Sequence, residues 1–188
     1  MTFSTLYDRV QEKEPKISTR WLRDQVIDIT PITSVKEQWT SLLDGESIRG
    51  FYIEGPLEPP VPLGANESLI VLKRSLDKEW RRFVYTKELM HTFDTEEEKT
   101  DTEEKFDIQI EKLGDPAAPI SPQWKAEITA FWRALAVLCP ENYRCEAKAM
   151  IDKDELSVSS VAARLKIPSS RAEFLFRDDY LGILENIK

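Results

Sequence analysis

The sequence predicts an α+β fold, mostly helical, in which a small β-sheet packs against one long helix and a pair of helices closes the C-terminus. Three observations predict it. Apolar residues recur at helical spacing over most of the 188 positions. Strand-like runs are few and sit together near the middle of the chain. An apolar share of 41%, with five Trp and eight Phe, is enough to fill a core. The expected division is an N-terminal helical segment over 1–45 and a domain over 46–188, a length that also suits one continuous domain.

The first helix is expected from Phe3 to Glu14. A second is opened by Ser18 and carries Trp21, Leu22, Val26 and Ile27 on one stripe. A third is expected from Ser34 to Asp44, with Val35, Trp39, Leu42 and Leu43 on one side and Gly45 as its stop. Ile48 to Glu54 (IRGFYIE) then reads as a strand. GPLEPPVPLGAN, with four prolines and two glycines, reads as a loop or irregular edge, and Ser68 to Lys73 (SLIVLK) as a second strand. Ser75 is the expected N-cap of a helix running through Trp80, Phe83, Val84 and Met90 to about Phe93. The acidic segment from Asp94 to Lys105 reads as a solvated loop. After the loop GDPAAPISP, Ser121-Pro122 opens a strong helix that Pro140 ends. Helices over Glu141 to Ile151, Val158 to Leu165 and Ser169 to Phe176 complete the chain, the last two broken at Ile167-Pro168.

Composition excludes several classes. A formal charge of −8 argues against a protein that grips nucleic acid by counterion release. No apolar run is long enough to span a membrane, and the N-terminus is polar, without a signal core. Two cysteines, Cys139 and Cys145, are too few for a disulfide framework; both are expected as buried free thiols in a reducing cytoplasm. One histidine, His91, excludes any two-histidine zinc site within one chain.

The helix expected over Ser75 to Phe93 carries the most information. At about 100° per residue, Leu76, Trp80, Phe83, Val84, Lys87, His91 and Asp94 share one face, with Glu88 at its edge. A lysine among apolar residues requires a charged partner or an opening to solvent opposite it. The order Lys87-Glu88-Leu89-Met90-His91 differs by one residue from H-E-x-x-H, in which two histidines one turn apart bind zinc and the glutamate activates the bound water.

Extended to RRFVYTKELMH, this stretch resembles the active helix of the ImmA/IrrE-type metallopeptidases, R-F-T-x-A-H-E-x-G-H. Those proteins follow it with a helix reading roughly E-A-N-x-F-A-A-x-L-L-M-P. Glu141 to Asp152 is similar in layout, and SVSSVAARLKIPSSRAEFLF is similar to the family's closing helix pair. The resemblance implies a zincin-like fold over roughly residues 45 to 180, with Glu141 at the third zinc ligand. It departs at Lys87, which replaces the first histidine, and in a longer segment between His91 and Glu141.

A protonated amine cannot bind zinc, so no metal or other cofactor is expected. Instead Lys87 is expected in a vestigial metal site, ion-paired with Glu141, Glu88 or Asp94 and close to His91. The implied function is a catalytically inactive, regulatory or protein-interaction module with a protein partner, in a bacterial, phage or mobile-element setting. The alternative is an active peptidase that holds zinc with His91, Asp94 and Glu141 and uses Glu88 as general base. A structural protein in which the motif is coincidence is the third reading. Val158 to Phe176 has the outline of a helix-turn-helix, but without a basic stripe it reads as a structural pair. Trp124, Phe131 and Trp132 read as core.

Overall fold

Strand β3, Glu67–Lys73, organises the molecule. Ser68 through Leu72 are all buried, so both faces and both edges of this strand need cover. The computed structural model describes residues 2–43, 48–58, 62–99 and 121–188, and in these β3 is the centre of a three-stranded sheet. β1, Ser34–Thr40, runs parallel to it, with Ser34 opposite Glu67 and Thr40 opposite Lys73. β2, Gly50–Glu54, runs antiparallel on the other side, with Gly50 opposite Leu72 and Glu54 opposite Ser68. Ile70 and Leu72 point into the main core, whereas Leu69 and Val71 meet Leu63, Phe51 and Ile53 in a small second cluster.

The expected α+β class, mostly helical with a small sheet, is what the chain adopts: eight α-helices and three strands among the described residues. One helix expected from the sequence is a strand. Val35 and Trp39 are four positions apart, a spacing that shares a face in a strand as well as in a helix. Leu42, which completed the helical stripe, is 94% exposed. The edge of β3 decides between the two, because β1 pairs with it over all seven residues. Asp44 and Gly45, the expected end of that helix, lie outside the described residues, as do 100–105 of the acidic segment and 114–120 of the loop after it.

Helices α1 (Phe3–Gln11) and α2 (Thr19–Ile29) bury Phe3, Leu6, Leu22 and Val26 in the same core as the sheet. Ser18 caps α2 as expected, accepting from the Trp21 amide. Helix α3 spans Lys78–Met90. Its N-cap is Asp77, not Ser75: the carboxylate accepts from the Glu79 and Trp80 amides at 3.0 and 2.8 Å, and a charged acceptor gains more from the helix N-terminus than a hydroxyl does. The α-helix stops at Met90, and His91–Phe93 form a 3-10 turn. Seven of its thirteen residues are buried, Glu88 among them, so α3 is a central helix. Gly50 is what lets β2 lie against it, since a Cβ there would come within 2.7 Å of Val84 Cγ1.

Helix α4 (Pro122–Leu138) begins at the expected Ser121 cap, its hydroxyl accepting from the Trp124 amide at 3.1 Å. It is followed by α5 (Glu141–Ile151), α6 (Val158–Leu165) and α7 (Ser169–Ala172), the last continued by a 3-10 turn over Glu173–Phe176. The pair α6–α7 buries Val161, Ala162, Leu165, Ile167 and Ala172, and α7 is one turn long, so the helix-turn-helix outline is a packing unit. A final helix, α8 (Tyr180–Ile187), lies beyond the last element expected from the sequence and packs Tyr180, Leu184 and Ile187 into the core. Among the described residues no helix is long and apolar enough to cross a membrane.

Candidate functional site: a buried charge cluster beside a cleft

Lys87 lies in the last turn of α3 and His91 directly after that helix, so both are one turn apart on the face turned toward α4. The Lys87 amine sits between two carboxylates: Glu127 Oε2 of α4 at 2.5 Å and Glu88 Oε1 at 3.0 Å. Glu127 turns its other oxygen to His91, with Oε1 3.4 Å from Nε2. That approach lacks the alignment of a hydrogen bond and leaves Nε2 without an acceptor, so it acts as a charge contact. On the far side of the ring, Nδ1 donates to Asp94 Oδ2 at 2.6 Å. Asp94 Oδ1 faces Arg133 Nη1 of α4 at 3.9 Å. The ring of Tyr52, from β2, lies nearly parallel to the imidazole at 6.4 Å.

The chain of contacts therefore alternates cation and carboxylate from Glu88 to Arg133. Burial, the largest single influence on His91, works against its charge. Glu127 and the hydrogen bond to Asp94 together outweigh it and push the imidazole up to about 10, so the ring is an imidazolium at neutral pH. Burial opposes the Lys87 ammonium in the same way, and Glu127 and Glu88 reverse it, holding the amine above its ordinary value. Glu127, although burial resists its charge, is held well below the usual carboxylate range by Lys87 and then His91. The cluster is not sealed: the Lys87 and Glu127 side chains keep 18% and 28% of their surface in solvent, against 2% for Glu88.

That solvent edge opens into a cleft of about 460 Å³ between β2, α3 and α4. Lys87, Glu88 and Glu127 form part of its wall. Trp124, Phe131 and Trp132, read from the sequence as core, form another part. Only Trp132 of the three is buried.

The expected partners of Lys87 are thus met in part. Glu88 bonds it directly, whereas Asp94 bonds His91 instead. Glu141 does not join the cluster. At the start of α5 its two oxygens accept from Arg144 at 2.6 and 2.7 Å, and Arg144 also donates to the Leu175 carbonyl. Its carboxylate is committed to a buried arginine, so the expected ligand set His91, Asp94 and Glu141 is not assembled. Of the two thiols expected to be buried, Cys139 is, and burial pushes it up; Cys145 is exposed on α5.

A divalent cation does not fit the residues as they stand, because the Lys87 ammonium already occupies the space between the two carboxylates. Among the described residues no three His, Cys, Asp or Glu side chains are grouped to hold one.

Glu127 is the residue that sequence reasoning missed. A signal was present. Glu127 is followed by Ala130, by Phe131 four positions on, by Ala134, Leu135 and Leu138, and by Pro140 at the helix end. The signal was spacing: Glu127 lies three residues after Trp124 and four before Phe131, on the stripe of the helix opened by Ser121 that reads as core. Comparison of the chain with protein-family models, with curated proteins and with solved structures found no match.

Proposed function

We propose that this chain is a zincin-like protein of the ImmA/IrrE type in which a lysine has replaced the metal, and that it acts as a catalytically inactive regulatory or protein-interaction module. One observation carries the reading. The Lys87 amine lies between Glu88, at the position of the water-activating glutamate, and Glu127, a carboxylate from the following helix, while His91 has its Nε2 3.4 Å from Glu127 and its Nδ1 bonded to Asp94. A carboxylate bonded to the far nitrogen is how a metal-binding histidine is usually oriented. In this reading Glu127, not Glu141, corresponds to the third ligand.

The chemistry follows from the charges. Hydrolysis through H-E-x-x-H needs a metal to lower the pKa of water and a glutamate free to take its proton. Here Glu88 is spent on an ammonium and no Lewis acid has a place. What remains is a charge-neutral cluster at one end of a cleft. Two free thiols agree with a cytoplasmic setting, and the resemblance suggests a bacterial, phage or mobile-element context with a protein as partner.

The test is to restore the missing ligand. Lys87→His should create zinc binding measurable by calorimetry and by metal analysis after dialysis. Adding Glu127→Ala should abolish that gain, and adding Glu141→Ala should leave it intact. If Lys87→His gains no affinity for zinc, or gains it independently of Glu127, the superposition on the metallopeptidase site is wrong.

A further inference from the structure

The other end of the cleft holds two cations that no carboxylate meets among the described residues. Arg49, just before β2, places its guanidinium carbon 4.3 Å from the ring centre of Trp80, and Arg171 of α7 lies over the same ring at 5.0 Å and over Phe131 at 5.7 Å. All four residues line the cleft. The chain carries 34 acidic residues, yet among the described residues no carboxylate meets either guanidinium. The Nε–H of Arg171 is buried without an acceptor. Burial and then the neighbouring charge of Arg49 lower the pKa of Arg171, the mark of a cation held where it is not compensated. A stack on an indole relieves part of that cost but satisfies none of the in-plane donors, which remain a planar fork suited to a carboxylate.

We propose that Arg49 and Arg171, stacked over Trp80, form a carboxylate-recognition subsite that selects an acidic side chain of a peptide segment laid along β2. Three features favour a peptide. β2 has a single neighbour among the described residues, and its first residues line the cleft, so main-chain groups at a sheet edge border the space. From Trp80 to Lys87 is seven residues of helix, about 10 Å, which matches about three residues of extended chain. Phe131 and Phe174, both partly exposed, offer apolar surface for the side chains beside the acid. The subsite does not depend on the reading of Lys87, since it uses none of the residues of the charge cluster.

Fluorescence anisotropy on the full chain tests this, with a labelled, acetylated pentapeptide of sequence Ser-Phe-Glu-Phe-Ser and its Gln counterpart as probes. The Glu probe is expected to bind about ten-fold more tightly than the Gln probe, because an ionised acceptor strengthens each bond from arginine. The preference should fall with added salt. Arg49→Gln alone, and Arg49→Gln with Arg171→Gln, should each reduce it while leaving the circular dichroism spectrum unchanged. Arg49 ends at a half-exposed strand edge, so its single variant keeps the test open should the double variant fail to fold. Lys87→His should leave the preference intact, which separates a failure here from a failure of the metal-site reading. Equal affinity for the two probes, no binding of either at millimolar concentration, or N-acetylglutamate competing as well as the pentapeptide would overturn the proposal; the last result would assign the subsite to a small acid.

Discussion

The two ends of α3 present cations to the same cleft and treat them differently. At the C-terminal end, Lys87, His91 and Arg133 alternate with Glu88, Glu127 and Asp94. At the N-terminal end, Arg49 and Arg171 share one indole and, among the described residues, no carboxylate. A compensated buried cluster holds helices in register, and removing one member strands the rest. An uncompensated pair contributes little to the folded state and keeps its donors available to a ligand. The difference teaches which charges of this cleft are architecture and which are open to chemistry.

The largest expected effect breaks the compensated end. Glu127→Ala leaves Lys87 and His91 facing each other and should cost about 3 kcal/mol in urea denaturation, the lower end of the range for such pairs because the cluster keeps an edge in solvent. Lys87→Met should cost a similar amount by stranding Glu88 and Glu127. The double variant should lose less than the two single losses together, with a coupling of about 1–3 kcal/mol. Strict additivity would mean that the two groups do not form one unit.

The next effect sharpens the contrast through pH. His91 titrates near 6.5 in the unfolded chain and is raised to about 10 in the fold. The folded protein therefore holds a proton that the unfolded chain releases in between, so this contribution is fully present below pH 6.5 and is lost as pH rises through about 10. Stability followed from pH 6.5 to 10 should decline, and His91→Gln should flatten that decline. An unchanged slope in the variant would remove His91 as its source.

Smaller still is Glu141→Ala. It deprives Arg144 of its ion pair but leaves the Leu175 carbonyl as acceptor, and should cost about 2 kcal/mol, as for hydrogen bonds to a charged group. It should show no coupling to Lys87→Met, since the two sites share no partner. The smallest effect is at the open end of the cleft, where Arg49→Gln should change stability by less than about 0.5 kcal/mol. A loss of several times that size would show that Arg49 is structural and would erase the contrast.

Much of the helical frame was legible because its signals are local. Ser18 and Ser121 cap the helices they were expected to cap, and Pro140 separates α4 from α5 as expected. Local signals failed where two readings share a spacing. Val35 and Trp39 suit either periodicity, and only the unpaired edge of β3 makes Ser34–Thr40 a strand. Asp77 took the cap from Ser75 two residues upstream because Ser75 is used in the turn that the Leu76 amide closes on the Lys73 carbonyl. At the site, the need of Lys87 for a partner was legible, since an amine on an apolar face cannot remain alone. The identity of that partner was not, because Glu127 and Glu141 both open a run of small and apolar residues.

By itself the sequence determined the α+β class, most helix positions, and the presence of one lysine and one histidine a turn apart on a buried face. Periodicity, caps and prolines act within a few residues, so they can be read along the chain. Only the tertiary structure decided which carboxylate faces Lys87, that Arg144 claims Glu141, and that Arg49 and Arg171 meet over Trp80. Those outcomes depend on which helix faces come together across the core, and charges respond to distance in space, not to separation in sequence.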